Sequence, residues 1–129
     1  MPVIEIWGLP ERLSDATLPH LTLDLCKAVA DIEELDISES DVSVFYPLDQ
    51  ASLTRTYPHS AIRIDKTIEE EIIIFIRGLF EKPERTEEVR NRLAETVGKT
   101  VRTYFLKAKL IECFVETHDP QSGFWIHKE

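Results

Sequence analysis

Residues 4–12 read Ile4-Glu5-Ile6-Trp7-Gly8-Leu9-Pro10-Glu11-Arg12, and residues 74–82 read Ile74-Phe75-Ile76-Arg77-Gly78-Leu79-Phe80-Glu81-Lys82. One phrase, Ile-x-Ile-x-Gly-Leu-x-Glu followed by a cation, thus returns after 70 residues. Ile4 and Ile6, like Ile74 and Ile76, carry the two-residue period of a strand, and the Gly-Leu that follows is read as ending each one. Each copy then turns toward a helix. In the first, Ser14 or Asp15 can cap a helix whose apolar stripe is Leu18, Leu21, Leu25, Val29 and Ile32, with Pro19 tolerable in its first turn. In the second, Thr86 can cap a helix carrying Val89, Leu93, Val97 and Val101, and Glu87 and Glu88 suit the positive end of its dipole.

A further strand closes each unit: Val42-Ser43-Val44-Phe45 in the first and Ile111-Glu112-Cys113-Phe114-Val115 in the second. Two βαβ pseudo-repeats therefore lie in tandem, at about residues 2–47 and 71–117, joined by residues 48–70. Within the joining segment, Ala61-Ile62-Arg63-Ile64-Asp65 reads as an extra short strand, preceded by a turn at Tyr57-Pro58-His59. The tail His118-Asp119-Pro120-Gln121-Ser122-Gly123 is turn chemistry leading to a last apolar element, Phe124-Trp125-Ile126. Parallel strands with right-handed crossovers predict an α+β fold: a four-stranded mixed sheet with both helices on one face, plus extra short strands for subunit contacts. The other sheet face is then bare, which demands a lid or burial against copies of the same chain.

At 129 residues and 14.9 kDa the chain suits a single domain, 1–129, and 43% hydrophobic with 30% charged residues argues for a packed core. A net charge of −9 repels phosphate backbones and anionic lipid, so no nucleic acid and no membrane surface is expected as a partner. The longest apolar run, residues 72–76, is far shorter than the roughly 20 residues of a spanning helix. The start Met1-Pro2-Val3-Ile4-Glu5 lacks the basic and apolar regions of a secretory signal, which predicts a cytoplasmic protein. Cys26 and Cys113 both fall in apolar-patterned segments and read as reduced, buried thiols. No CxxC or HxxxH spacing occurs, and neither a metal site nor an organic cofactor is expected.

Pro2 is the first residue with chemistry to offer. Removal of Met1 would expose a secondary amine at the head of a strand, and an apolar setting or neighbouring cations would lower its pKa toward a neutral base. Such a base takes a proton from carbon beside a carbonyl. With Met1 retained, the same nitrogen is an amide without a usable lone pair.

Pro2 opening a strand, the loop Leu9-Pro10-Glu11-Arg12, the helix and the strand Asp41-Val42-Ser43-Val44 together resemble the N-terminal βαβ unit of the tautomerase superfamily, typified by 4-oxalocrotonate tautomerase. The second unit and the ending Asp119-Pro120-Gln121-Ser122-Gly123-Phe124-Trp125 resemble its longer, fused-repeat members, among them 5-carboxymethyl-2-hydroxymuconate isomerase, macrophage migration inhibitory factor and malonate semialdehyde decarboxylase. The likeness spans most of the chain except residues 48–70. It implies a homotrimer whose bare sheet faces pack around a central axis, with Pro2 as general base at the mouth of a small pocket.

By the same resemblance, Arg12 corresponds to the loop arginine that grips a substrate carboxylate, with a solvated charge just before a helix as the equal alternative. The short tautomerases carry another arginine on the second strand, where this chain has Ser43. Lys82-Pro83-Glu84-Arg85-Thr86-Glu87-Glu88 resembles the arginine-bearing turn of the decarboxylase branch, which makes Arg85 a candidate, since a planar guanidinium holds a carboxylate through two parallel hydrogen bonds. Arg77 and Lys82 are further candidates for substrate binding, Arg77 against the alternative of an outward salt bridge. In the repeat alignment Ile72 lies opposite Pro2, so each chain has one site. Trp7, Tyr57, Phe124 and Trp125 could wall the pocket, or be buried in core or interface. His59 and His118 read as surface turn residues rather than proton relays.

The resulting expectation is a tautomerase-like enzyme in which Pro2, Arg12 and Arg85 act on a small anionic 2-oxo or enol acid. Decarboxylation or hydrolytic dehalogenation of a small acid would use the same groups with Pro2 protonated. The alternatives are a non-catalytic homotrimer of the same fold and, since tandem βαβ units also build such modules, a monomeric ligand-binding domain.

Overall fold

The computed structural model describes residues 1–9, 13–47 and 71–129. The expected strand at 61–65, the turn at 57–59 and the candidates Arg12, Tyr57 and His59 lie outside the described residues. Strands β1 (Val3–Trp7), β2 (Ser43–Phe45), β3 (Glu71–Phe80) and β4 (Leu110–His118) form one sheet in the order β2-β1-β3-β4. β1 runs parallel to β2 and β3 parallel to β4, while β1 and β3 pair antiparallel at the centre. Val3 faces Arg77 and Trp7 faces Ile73, and these pairs are images of one another under the 70-residue repeat. The two units are thus related by a pseudo-twofold axis through Glu5 and Phe75.

Helices α1 (Thr17–Ala30) and α2 (Glu87–Tyr104) cover one sheet face. Leu21, Leu25 and Val29 of α1 and Val89, Leu93, Val97 and Val101 of α2 pack with Ile4, Ile6, Ile72, Ile74 and Ile76 into the core. Each such side chain contributes about 1.5–3 kcal/mol relative to exposure. The opposite face carries Val3, Glu5, Phe45, Ile73, Phe75, Arg77, Glu112, Phe114 and Glu116. Phe75 and Phe114 stack there with centroids 5.7 Å apart, yet Phe45 and Phe114 remain exposed. Among the described residues nothing covers this face, as expected from both helices lying on the other.

Several local expectations need correction. Neither Ser14 nor Asp15 caps α1: a backbone bond from Thr17 N–H to the Ser14 carbonyl (3.0 Å) closes a turn first, and the helix starts behind Ala16 without a side-chain cap. Ile32 is buried but lies past the helix end. Gly8 follows the end of β1, whereas β3 continues through Gly78 to Phe80. It does so by a bulge: Ile76 faces Val115, but Leu79 faces Thr117, so β3 holds one extra residue. Gly78 takes φ +75 there, and the change of alternation turns Leu79 into the core. β4 reaches His118, which is a strand-end residue rather than part of a surface turn. Phe124-Trp125-Ile126 forms no strand and stays exposed. Thr86 does cap α2, its hydroxyl accepting from the Val89 N–H at 3.3 Å.

Candidate active site

Pro2 is buried at the head of β1, where its carbonyl accepts a hydrogen bond from the Ser43 N–H at 3.2 Å. On its other side lies the β3 bulge. A Cβ built on Gly78 would stand 2.9 Å from the Met1 carbonyl oxygen and 4.0 Å from Pro2 Cα. Only a residue without Cβ lets the N-terminus lie this close to β3. Met1 itself is 66% exposed, so the chain end reaches solvent while the proline ring does not.

Arg77 stands next to the Pro2 level of β1, opposite Val3. Its guanidinium bridges Glu5 (3.4 Å) and Glu116 (3.5 Å) and lies 4.7 Å from the centre of the Phe75 ring. It therefore occupies the salt-bridged role, with two carboxylates already around it.

Arg85 is brought to the same end of the sheet but turned inward, 6% exposed. Nε and Nη2 donate to the Leu35 carbonyl (3.3 and 2.7 Å), and Nη1 donates to the Phe80 carbonyl (2.7 Å). Burial pulls this guanidinium below its ordinary pKa, with Asp36 and Glu84 opposing. In this position Arg85 fastens the turn after α1 to the end of β3, and three of its donors are spent on backbone oxygens. Lys82 lies exposed on the intervening turn, and Trp125, 84% exposed, projects from the tail.

A groove of about 410 Å³ is lined by Val3, Glu5, Phe45, Tyr46 and Pro47. The Tyr46 hydroxyl is hydrogen-bonded to Thr22 at 2.8 Å, and burial raises its pKa. A second groove of about 440 Å³, between α2 and β4, is bordered by Lys99, Arg102 and Lys109 over Cys113. Burial pushes the Cys113 thiol up to about 12, far from a reactive thiolate. At the end of β4, His118 packs among Phe80 and Phe124, with its Nε2 buried and unpartnered among the described residues. Among the described residues no cluster of His, Cys, Asp or Glu is arranged to hold a metal.

Sequence reasoning passed over Gly78, Glu5 and Tyr46. For Gly78 the signal was available in the repeat, because Gly8 and Gly78 align; for Glu5 it was a charge set between two strand isoleucines. Tyr46 follows the strand with no pattern of its own.

No protein-family model matches the chain, and no curated protein matches it in sequence. Solved structures do match in shape. Native fused 4-OT is similar with a TM-score of 0.62 and 18% identity, over 96% of this chain and 91% of that one. A fused 4-OT wild-type asymmetric trimer gives 0.65 and 16%, again over 96% and 91%. Malonate semialdehyde decarboxylase, solved in wild-type, mutant and inactivated forms, gives 0.57 and 11%, over 98% of this chain and 92% of that one. At such identities the likeness shows the fold, which is the tautomerase-like α+β fold of fused 4-OT.

Proposed function

We propose that this protein is a tautomerase-type enzyme in which Pro2, as first residue of the processed chain, moves a proton on a small 2-oxo or enol carboxylic acid. The observation that carries the reading is the seat of Pro2: buried at the head of β1, against a glycine bulge, on a fold shared with fused 4-OT. A secondary amine in that recess loses hydration, which disfavours its charged form and keeps it a neutral base at lower pH than in water. It takes the proton from carbon beside the substrate carbonyl and returns it to the other end of the enolate. A cation at the carboxylate and the developing oxyanion supplies the electrostatic part. With Pro2 protonated, the same groups suit decarboxylation or dehalogenation of a small acid.

Arg12, which lies outside the described residues, is the proposed carboxylate grip, as the resemblance implies. A homotrimer that buries the open sheet face brings copies together, and exposed Phe45 and Phe114 favour that burial. Tyr57 and Trp125 remain proposed wall residues, with Arg77 and Lys82 as lesser anion contacts. Arg85 serves the proposed site by holding the β3–α2 turn.

A second reading is a homotrimer that keeps the fold for binding or assembly with Pro2 idle. Two observations favour it: Arg85 is committed to backbone carbonyls, and Ser43 stands where the resemblance implies an arginine. Intact mass followed by a rate measurement on enol phenylpyruvate separates the two. The enzyme reading expects Met1 to be absent and Pro2→Ala to be at least about 100-fold slower than the native chain. A retained Met1, or equal rates, leaves the assembly reading.

A further inference from the structure

We propose that the groove between α2 and β4 is a ligand site separate from Pro2, taking a small organic anion with a flat apolar body and a phosphate or carboxylate head. It does not depend on how Pro2 is read. Its floor residues Ile111 and Cys113 pair with Ile72 and Ile74 near the start of β3, whereas Pro2 lies against Gly78 toward the other end of that strand.

The sequence supplies the charge. Acidic residues number 24 of 129, yet residues 96–111 contain none, while Lys99, Arg102, Lys107 and Lys109 all fall in that stretch. Folding brings three of these cations to one cavity: Lys99 and Arg102 from α2, and Lys109 from the connection into β4. Among the described residues Glu95 is the only acid on the lining. In a chain of net charge −9 this is a local reversal of sign, effective at short range because the distant carboxylates are screened.

Helix packing supplies the space. The cavity measures about 440 Å³, within the range of small-molecule sites. Gly98 stands in its helical wall, and a Cβ built there meets nothing within 4 Å. Glycine weakens a helix interior, and no close backbone approach requires it at this position. What the missing side chain provides is room over a floor of Ala108, Ile111 and Cys113. Two of the cations are held in ways that an incoming anion can share. Lys99 donates to Glu95 at 2.6 Å, but both side chains are more than half exposed, so the pair adds little. Arg102 Nη1 reaches the Ala108 carbonyl at a long 3.5 Å, and the rest of its planar fork suits a phosphate or carboxylate. Balancing the negative end of α2 accounts for Arg102 in the last turn, but not for the cavity that Gly98 opens. An anionic head at Lys99 and Arg102, with an apolar body over Cys113, uses both halves of the lining.

The test titrates the ¹⁵N-labelled full chain with phenyl phosphate at low salt. The amides of Ala108 and Ile111 are expected to shift saturably, with an affinity that falls as salt is raised. Inorganic phosphate should bind at least about tenfold more weakly, for want of an apolar body. Arg102→Gln should weaken phenyl phosphate at least about fivefold, and Glu95→Gln should tighten it about twofold by removing a competing carboxylate. Gly98→Phe fills the cavity and should abolish the response; phenylalanine suits a helix better than glycine, so α2 is kept. Benzoate forms a second arm: whichever of the two ligands binds tighter names the head group, and silence toward both overturns the proposal. Shifts that do not saturate, that inorganic phosphate reproduces at equal concentration, or that persist in Gly98→Phe also overturn it. Should Gly98→Phe fail to fold, Arg102→Gln decides in its place, and native affinity there overturns the site.

Discussion

Arg85 shows how a residue that looks like a ligand hook can be spent inside the fold. Its guanidinium satisfies the carbonyls of Leu35 and Phe80, groups that would otherwise end a turn and a strand unpaired in a buried place. Arg85→Met keeps the length but leaves both oxygens without donors, and is expected to cost about 2–4 kcal/mol in urea unfolding. Arg77→Met, at a half-exposed ion pair, should cost less than about 1 kcal/mol in the same measurement. The sequence displays Arg85 in a turn of charged residues, and nothing local reveals its main partner 50 positions away. Cys113 carries a pH prediction. Its thiol is pushed from 9.0 to about 12 in the folded chain, so above pH 9 the unfolded chain releases a proton that the folded one keeps. The stabilisation is whole below that pH and falls as pH rises toward 12, by up to about 1.4 kcal/mol per unit. Unfolding free energies between pH 8.5 and 10 should show this slope, and Cys113→Ala should flatten it.

Elements whose signals are local were legible, and those set by partners were not. The four-residue spacing of Val89, Leu93, Val97 and Val101 and the cap at Thr86 depend only on nearby residues, and α2 begins where they predict. Thr86→Ala should therefore destabilise by about 1 kcal/mol. Gly98 lies within α2 with nothing within 4 Å of a built Cβ, so Gly98→Ala should stabilise by about 0.5–1 kcal/mol, read as a higher urea midpoint. The start of α1 was misread because Ser14 bonds Thr17 (2.7 Å between hydroxyls) instead of capping a helix amide. The bulge in β3 was invisible because it exists only in the pairing with β4. The Gly-Leu phrase is identical in both repeats, yet it ends β1 and merely bends β3. His118 was misplaced for the same reason, since pairing with Phe80 is what extends β4 to it.

On the scale of the whole molecule, the repeat carried the fold: two copies of one strand phrase led to a mixed sheet with its helices on one face. It also announced an uncovered face, and the exposed Phe114, stacked on Phe75, marks its middle. The proposed trimer predicts a sedimentation mass three times 14.9 kDa, and Phe114→Asp should shift it toward the single chain. A native mass of 14.9 kDa would instead leave the face uncovered in solution. The proposed site is less legible than the fold because the reading of Pro2 as an amine rests on chain processing, which leaves no periodic trace. Its central claim concerns one nitrogen. A ¹⁵N NMR titration of the chain carrying labelled proline reads that atom directly. The account predicts a secondary-amine resonance for Pro2 that titrates between about pH 5 and 8; an amide resonance indifferent to pH would contradict it.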